Sequence, residues 1–404
     1  MPRLRILTDS SELEALLPAW RRLLRRAVHS EPVRTPLWLL PWWRLYGEPD
    51  GRALRAVAVE DDGELIGLVP LATRRTTHRH AIPVRRIELI GTGEDETDEI
   101  ASDYVGALAA QGRQDDVARL AADAIVDGAL GDWDELRLPA MNCEDPMVPK
   151  LAEALRTRGL AAGVTRSGEA HFVTLPRAWA TYLRDLGSSR RYVVTRSLRE
   201  LDRWAGPGGW QLRSAVSEAD FAEGRRVLHD LHSERWTAAG RSGVFASPRF
   251  RRFHDEVMPR LWAGEDGASL ELLWLVVRGE PIAASYNVVF GNKVYFYQSG
   301  RRMDVPKTVR PGIAMHALAI QRSIELGRRE YDFLQGASRY KRDLAHASRA
   351  LVTLRAVAPH LRARAVETAR MMAERAIAHL RARRRVVAST MATTEASSDQ
   401  PGLE

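Results

Sequence analysis

"REYDFLQGASRYKRDLA", residues 329–345, decides how this chain is read. Tyr331 and Phe333 flank Asp332 in the alternation of a strand. Gly336 then breaks the pattern, and a basic, helix-like run delivers Tyr340 and Lys341. A strand with a carboxylate in its middle, a glycine exit and a Tyr-Lys pair directly behind it is not built like an ordinary surface segment.

Working outward, "KVYFYQSG" (293–300) reads as a strand, "RRMDVPKTVR" (301–310) as a polar loop, and "PGIAMHALAI" (311–320) as the start of a helix running to about Leu326. Pro at its start and Gly327 behind its end follow the usual asymmetry. The order is therefore β-loop-α-β-α. A helix N-terminus behind Lys307 and Arg310 suits a phosphate, because its first N–H groups are unpaired and its dipole favours anions. Gly312 would let a ligand approach the backbone, although a Pro-Gly that merely starts a helix has the same spelling.

Further upstream, "LRAVAVEDDGELIGLVPLAT" (54–73) and "ELLWLVVRGEPIAASYNVVF" (271–290) are both hairpins by their alternation and turns. A shift of 216 residues lays Gly63 on Gly279, Glu64 on Glu280, Ile66 on Ile282 and Trp20 on Trp236. These coincidences point to a duplicated α/β unit. Between the hairpins the reading gives helices near Gln114–Leu130 and Val148–Arg158, a strand "DELRLP", and a crossover strand at Gly168–Pro176. A basic helix, capped by Ser188 or Ser189, opens the second half. "LVTLRAVAP" (351–359) is the last strand, and 360–385 reads as one long helix with Leu361, Ala365, Ala369, Met372, Ala376 and Leu380 on one face.

At 404 residues two domains are expected, and 45% hydrophobic residues suffice for real cores. The net charge of +8 comes from 60 Lys+Arg against 52 Asp+Glu, a solvated surface with local basic patches. Anionic partners such as a coenzyme phosphate, tRNA or an acidic membrane face are favoured, and DNA is not expected. The single cysteine, Cys143, excludes a disulfide framework and a multi-cysteine metal site, which fits a reducing cytoplasm. No apolar run is long enough to cross a bilayer, and the first residues lack a signal-peptide core. His229 and His232 stand at helical spacing but lack a third ligand, so no metal is expected.

"YFYQSG", "RPGIAMHALAI" and "IELGRREYDFLQGASRYKRDLA" resemble the C-terminal half of GNAT-fold acyltransferases of the CelD type, relatives of the FemABX aminoacyl transferases. "SSRRYVVTRSLREL", "LHSERW", "GVFASPRF", "PLWLLPWWRLY" and "SDYVGAL" extend the resemblance over roughly residues 35 to 355. It implies an α/β (α+β) fold of tandem GNAT-like domains, each a mixed twisted sheet flanked by helices. The first would span 1–168 and the second, the acyltransferase domain, 169–358. A basic amphipathic helix (359–386) and a disordered tail (387–404) follow.

The resemblance also implies a donor, acetyl-CoA or another acyl-CoA, lying between the strands 293–300 and 330–336. Its pyrophosphate would meet Lys307, Arg310, Pro311, Gly312 and Ile313. The chain departs from the common GNAT loop pattern, since "TVRPGI" holds one glycine. Lys341 matches the position of a lysine near the reacting carbonyl in FemABX relatives, which makes it the expected oxyanion stabiliser. Tyr340 is the expected leaving-group acid or substrate-orienting hydroxyl, and Asp332 either accepts the amine proton, orients the amine or is a buried structural carboxylate. Arg235, Trp236, Gln298, Ser299 and Gly336 are assigned to the substrate side, with plain core packing the competing reading for Trp236. The acceptor would be a small or polysaccharide-linked amine. An aminoacyl-tRNA donor, a non-catalytic scaffold and a homodimer are the alternatives carried forward.

Overall fold

In the computed structural model, which describes residues 1–78, 81–336 and 338–375, a similar order of elements occurs twice, with one more helix and one more strand in the first half. The first half runs β1 (Arg3–Leu7), α1 (Ser10–Ala15), α2 (Leu17–Arg26), α3 (Pro36–Trp42), β2 (Ala56–Asp61), β3 (Glu64–Val69), β4 (Leu71–His78), β5 (Ile82–Leu89), α4 (Gln114–Val126), β6 (Glu135–Asn142), α5 (Met147–Thr157) and β7 (Ala161–Thr174). Two helices, α6 (Trp179–Asp185) and the basic α7 (Ser188–Ala205), lead into the second half. It repeats the plan with β8 (Trp210–Ser214), α8 (Glu218–Ala238), α9 (Pro248–Trp262), β9 (Ala268–Val277), β10 (Glu280–Phe290), β11 (Lys293–Arg301), α10 (Pro311–Glu325), β12 (Glu330–Gln335), α11 (Arg339–Leu344) and β13 (Ala347–Val357). The hairpins β2–β3 and β9–β10 turn at Gly63 (φ +77°) and Gly279 (φ +86°), the two glycines aligned in the sequence. Only glycine takes such angles without strain.

The halves are stitched together by their last strands. β7, which ends the first half, pairs with β12 of the second, and β13, which ends the second, pairs with β6 of the first. β7 and β13 also pair with each other, so the large sheet runs unbroken as β8-β9-β10-β11-β12-β7-β13-β6-β5-β4. The boundary expected at 168/169 thus falls inside β7. That strand begins earlier than expected because "AAGVTRS" is polar and largely exposed, and backbone pairing with β13 places it in the sheet.

β1, β2 and β3 belong to a second, smaller sheet, and two cores hold the fold. One gathers Trp20, Trp38, Trp42 and Trp43 with the apolar face of β2 and β3. The other packs α7 and α10 on β9–β12 through Leu201, Leu275, Ile320 and Phe333. The α7 N-cap is Gly187 without a side-chain cap, so Ser188 and Ser189 lie inside the helix.

Residues 361–375 are helical, but the helix docks by a different face from the one its apolar stripe suggested. Leu361 and Met372 point outward at 83% and 66% exposure, while Ala363 is buried. Glu367 bridges Arg355 of β13 and Arg370, and these charge-assisted bonds fix the helix orientation. Ala376, Leu380 and the tail 387–404 lie outside the described residues. Among the described residues no helix is long and apolar enough to cross a membrane.

Candidate active site

In each half one pair of neighbouring strands is parallel, and only briefly. β11 and β12 pair at Lys293↔Glu330, Val294↔Tyr331 and Tyr295↔Asp332 and then part. β12 bends away because its register against β7 shifts between Asp332 and Gln335, with Leu334 at φ +57° and Gly336 at φ +144°. The opening so created is a cavity of about 400 Å³ between the end of β11, the start of α10 and α11.

Seven of the expected site residues line this cavity: Arg235, Ser299, Lys307, Arg310, Gly312, Ile313 and Tyr340. Arg301, Val309 and His316 also border it and were not singled out in the sequence. Pro311 and Gln298 flank the lining without joining it. Trp236 borders a separate cavity of about 650 Å³, between the loop Glu96–Asp98 of the first half and residues 240–248. There its indole N–H donates to His232 Nε2 over 3.0 Å.

The cavity is strongly positive. Arg235, Arg301, Lys307 and Arg310 converge on it, and among the described residues none of the four forms an ion pair with a carboxylate. Burial and the neighbouring Arg235 pull the Arg301 guanidinium below its usual range. The first turn of α10 holds no acidic residue, and a Cβ at Gly312 would touch only Arg301 Cδ, at 3.5 Å. At the matching place in the first half, α4 begins with Asp115 and Asp116. Carboxylates there repel the anion that a helix N-terminus otherwise attracts, so the two helix starts differ in charge.

Lys341 and Asp332 sit behind the cavity, outside its lining. Lys341 Nζ donates to the carbonyls of Phe333 (2.6 Å), Gln335 (2.7 Å) and Leu334 (3.3 Å), which occupies all three of its hydrogens. Burial lowers its pKa to about 8, against the pull of Asp103 and Asp332. A Cβ on Gly336 would come within 3.0 Å of that nitrogen, so the glycine exit and the lysine form one turn. Asp332 is enclosed: it accepts from Tyr104 O–H (2.8 Å) and Leu334 N–H (2.7 Å), with Arg349 at 3.6 Å. Burial outweighs these partners and raises its pKa to about 7.

Tyr340 does face the cavity. Its ring stacks on His316, centroids 5.0 Å apart and planes within 13°, and burial pushes its hydroxyl up to about 12. His316 lies in the second turn of α10, buried among Phe296, Phe333 and Tyr340. Burial first, then Lys341 and Arg235, lower its pKa to about 3, which keeps the imidazole neutral. A lone histidine in "AMHALAI" was the sequence signal, masked by the apolar helix around it.

The parallel strands thus part onto a helix N-terminus bordered by cations that have no carboxylate partner among the described residues. Residues 188–342 match the family described as acetyltransferase (GNAT) domain. The chain has the GNAT fold. No curated protein matches the chain. Among solved structures, a crystal structure of FemX shares the fold with a TM-score of 0.55 at 11% identity, covering 88% of this chain and 97% of that one. The C-terminal domain of a putative lysylphosphatidylglycerol synthetase from Agrobacterium fabrum follows with a TM-score of 0.50 at 10% identity, covering 88% and 95%. A conserved protein of unknown function from Bacteroides thetaiotaomicron has a TM-score of 0.50 at 9% identity, covering 89% and 100%. These likenesses give the fold. The GNAT segment starts at α7 and ends in α11, so it encloses the whole cavity.

Proposed function

We propose that this protein is an N-acyltransferase of the CelD type that moves an acyl group from an acyl-CoA to an amine. The observation that carries this reading is the cavity beside α10, where Arg235, Arg301, Lys307 and Arg310 stand without carboxylate partners. Four cations of one sign in a recess focus an anion such as a pyrophosphate. The parted edges of β11 and β12 leave backbone groups for the pantetheine amides, and Tyr340 at the inner end can orient the thioester by a hydrogen bond.

The reaction this geometry serves is direct attack of an amine on the thioester. Lys341 takes part by holding three carbonyls of the β12 exit, which fixes the bend that opens the cavity. Asp332 serves the same bend from the other side. The acceptor would enter from the 650 Å³ cavity between the halves, because Arg235 and Trp236, adjacent in α8, line one cavity each.

A thermal-shift panel with acetyl-CoA, longer acyl-CoAs and a non-hydrolysable aminoacyl-tRNA mimic tests the donor. Stabilisation by a CoA ester that disappears in Gly312→Asp is expected. Binding of the tRNA mimic together with indifference to every CoA ester would replace the reading with an aminoacyl transferase.

A further inference from the structure

The second core contains a line of buried polar groups that apolar packing does not explain. Ser285 and Asn287 of β10 and Tyr331 of β12 are fully buried, and His316 nearly so. Such groups are costly unless bonded, and here they are bonded in one direction. Asn287 Nδ2 donates to Glu271 over 3.1 Å. Its Oδ1 accepts from the Ser285 hydroxyl over 2.7 Å. Ser285 lies against the Tyr331 hydroxyl, and with its only hydrogen spent on Asn287 it has acceptor capacity alone to offer there. The Tyr331 oxygen in turn can only accept from His316 Nδ1, 3.4 Å away. Burial pushes the Glu271 carboxyl up, while the Asn287 amide and Arg322, 3.7 Å away, favour the carboxylate that gives the chain this direction.

We infer that His316 is the general base of the transfer, held by the chain Glu271–Asn287–Ser285–Tyr331 as the Nδ1–H tautomer with its Nε2 lone pair free for the acceptor amine. Nε2 has no hydrogen-bond partner among the described residues, and the ring borders the cavity. The inference rests on the acyl-CoA reading above and adds the proton's route. As the amine nitrogen bonds to the thioester carbonyl carbon, its proton passes to Nε2. The adduct then collapses, the C–S bond breaks with its electron pair on sulfur, and Nε2–H returns the proton to that sulfur. Amide and thiol are the only products, and His316 ends neutral. Of the groups facing the ring, Lys341 and Arg235 disfavour the imidazolium. The negative charge developing on the adduct favours it at the moment of transfer. Ser285, Asn287 and Tyr331 touch no substrate and are positioning residues.

Two measurements test this. Nitrogen NMR of protein carrying ¹⁵N-histidine reads the tautomer without any substrate, with the His316 signals assigned by their loss in His316→Gln. Nδ1–H is expected in the wild type, and a shift toward Nε2–H in Tyr331→Phe; Nε2–H in the wild type overturns the inference. Thiol release from acetyl-CoA with a panel of primary amines, glucosamine and cadaverine among them, reads the chemistry. His316→Gln should bind acetyl-CoA as the wild type does yet lose about 10²–10³ in kcat, the size of a general-base contribution. His316→Ala should be partly rescued by added imidazole. Wild-type kcat in His316→Gln overturns the role of His316 and leaves the donor reading standing. A wild type that neither binds acetyl-CoA nor transfers from it overturns the donor reading and takes the base with it.

Discussion

Tyr104 of the first half donates its hydroxyl to Asp332 of the second across 2.8 Å, inside the protein. Tyr104 stands at φ +73°, a conformation a tyrosine keeps only when its surroundings impose it. Arg34 imposes it, donating to the carbonyls of Tyr104 (2.8 Å) and Ala107 (2.9 Å) while paired with Asp145 at 2.6 Å. One carboxylate thus ties the first half to the bend in β12 that opens the donor cavity. Tyr104→Phe leaves an acceptor of Asp332 unsatisfied and should cost about 1–3 kcal/mol in urea unfolding at neutral pH. A change within error would mean that water replaces the hydroxyl and the joint is not closed.

Asp332 should also shape the pH dependence of stability. Its pKa in the fold, about 7, lies above the ordinary 3.8. Between those values the folded protein keeps a proton that the unfolded chain has released. Stability therefore falls as pH rises through that window and levels off above it. Asp103, raised to about 6, acts in the same sense over a narrower range. Asp332→Asn removes one contribution, so its urea midpoints should vary less between about pH 4 and 7 than those of the wild type. Parallel curves would show that Asp332 is ionised throughout that range.

Much of this was legible in the chain, and the parts that were not share a cause. Local patterns carried the hairpins at Gly63 and Gly279, the α10 start at Pro311 and the glycine exit at Gly336. Arg310, Gly312 and Tyr340 meet at one cavity because short-range order, strand then loop then helix, already brings them together. The exchange of β7 and β13 was not legible, since strand partners far apart in sequence leave no periodic trace. His316 was hidden for the opposite reason: its neighbours in the sequence are apolar on both sides, and its contact with Tyr331 exists only in three dimensions. Lys341 looked like a cation near a carbonyl, and it is one, but the carbonyls are those of its own chain.

That observation separates two roles for Lys341. If its ammonium closes the turn, Lys341→Met strands three carbonyls and should cost at least about 2 kcal/mol in chemical denaturation. The thermal midpoint should fall with it, and acetyl-CoA binding should weaken as the bend relaxes. An oxyanion donor would behave otherwise, with Lys341→Met unchanged in stability and donor affinity but depleted in kcat. Measuring melting, donor Kd and turnover on the one variant decides between them.

Two glycines twelve residues apart should respond in opposite ways to the same added methyl group. Gly300 lies in β11 where α8 crosses it, and a Cβ there would sit 2.4 Å from the backbone nitrogen of His232. Backbone cannot swing aside as a side chain can, so Gly300→Ala must lift α8 off the sheet. The expected cost is more than about 3 kcal/mol, at the severe end for a single substitution. At Gly312 the added Cβ meets only Arg301 Cδ, at an ordinary 3.5 Å, and alanine is the better helix former. Gly312→Ala should therefore melt at or slightly above the wild-type temperature. The methyl group would nevertheless occupy the wall against which the donor's phosphates approach the α10 amides. Its penalty should appear as a raised Kd for acetyl-CoA in calorimetry, with stability intact. Were Gly312→Ala to bind acetyl-CoA unchanged, the phosphates would lie away from the helix start, on Lys307 and Arg301 alone.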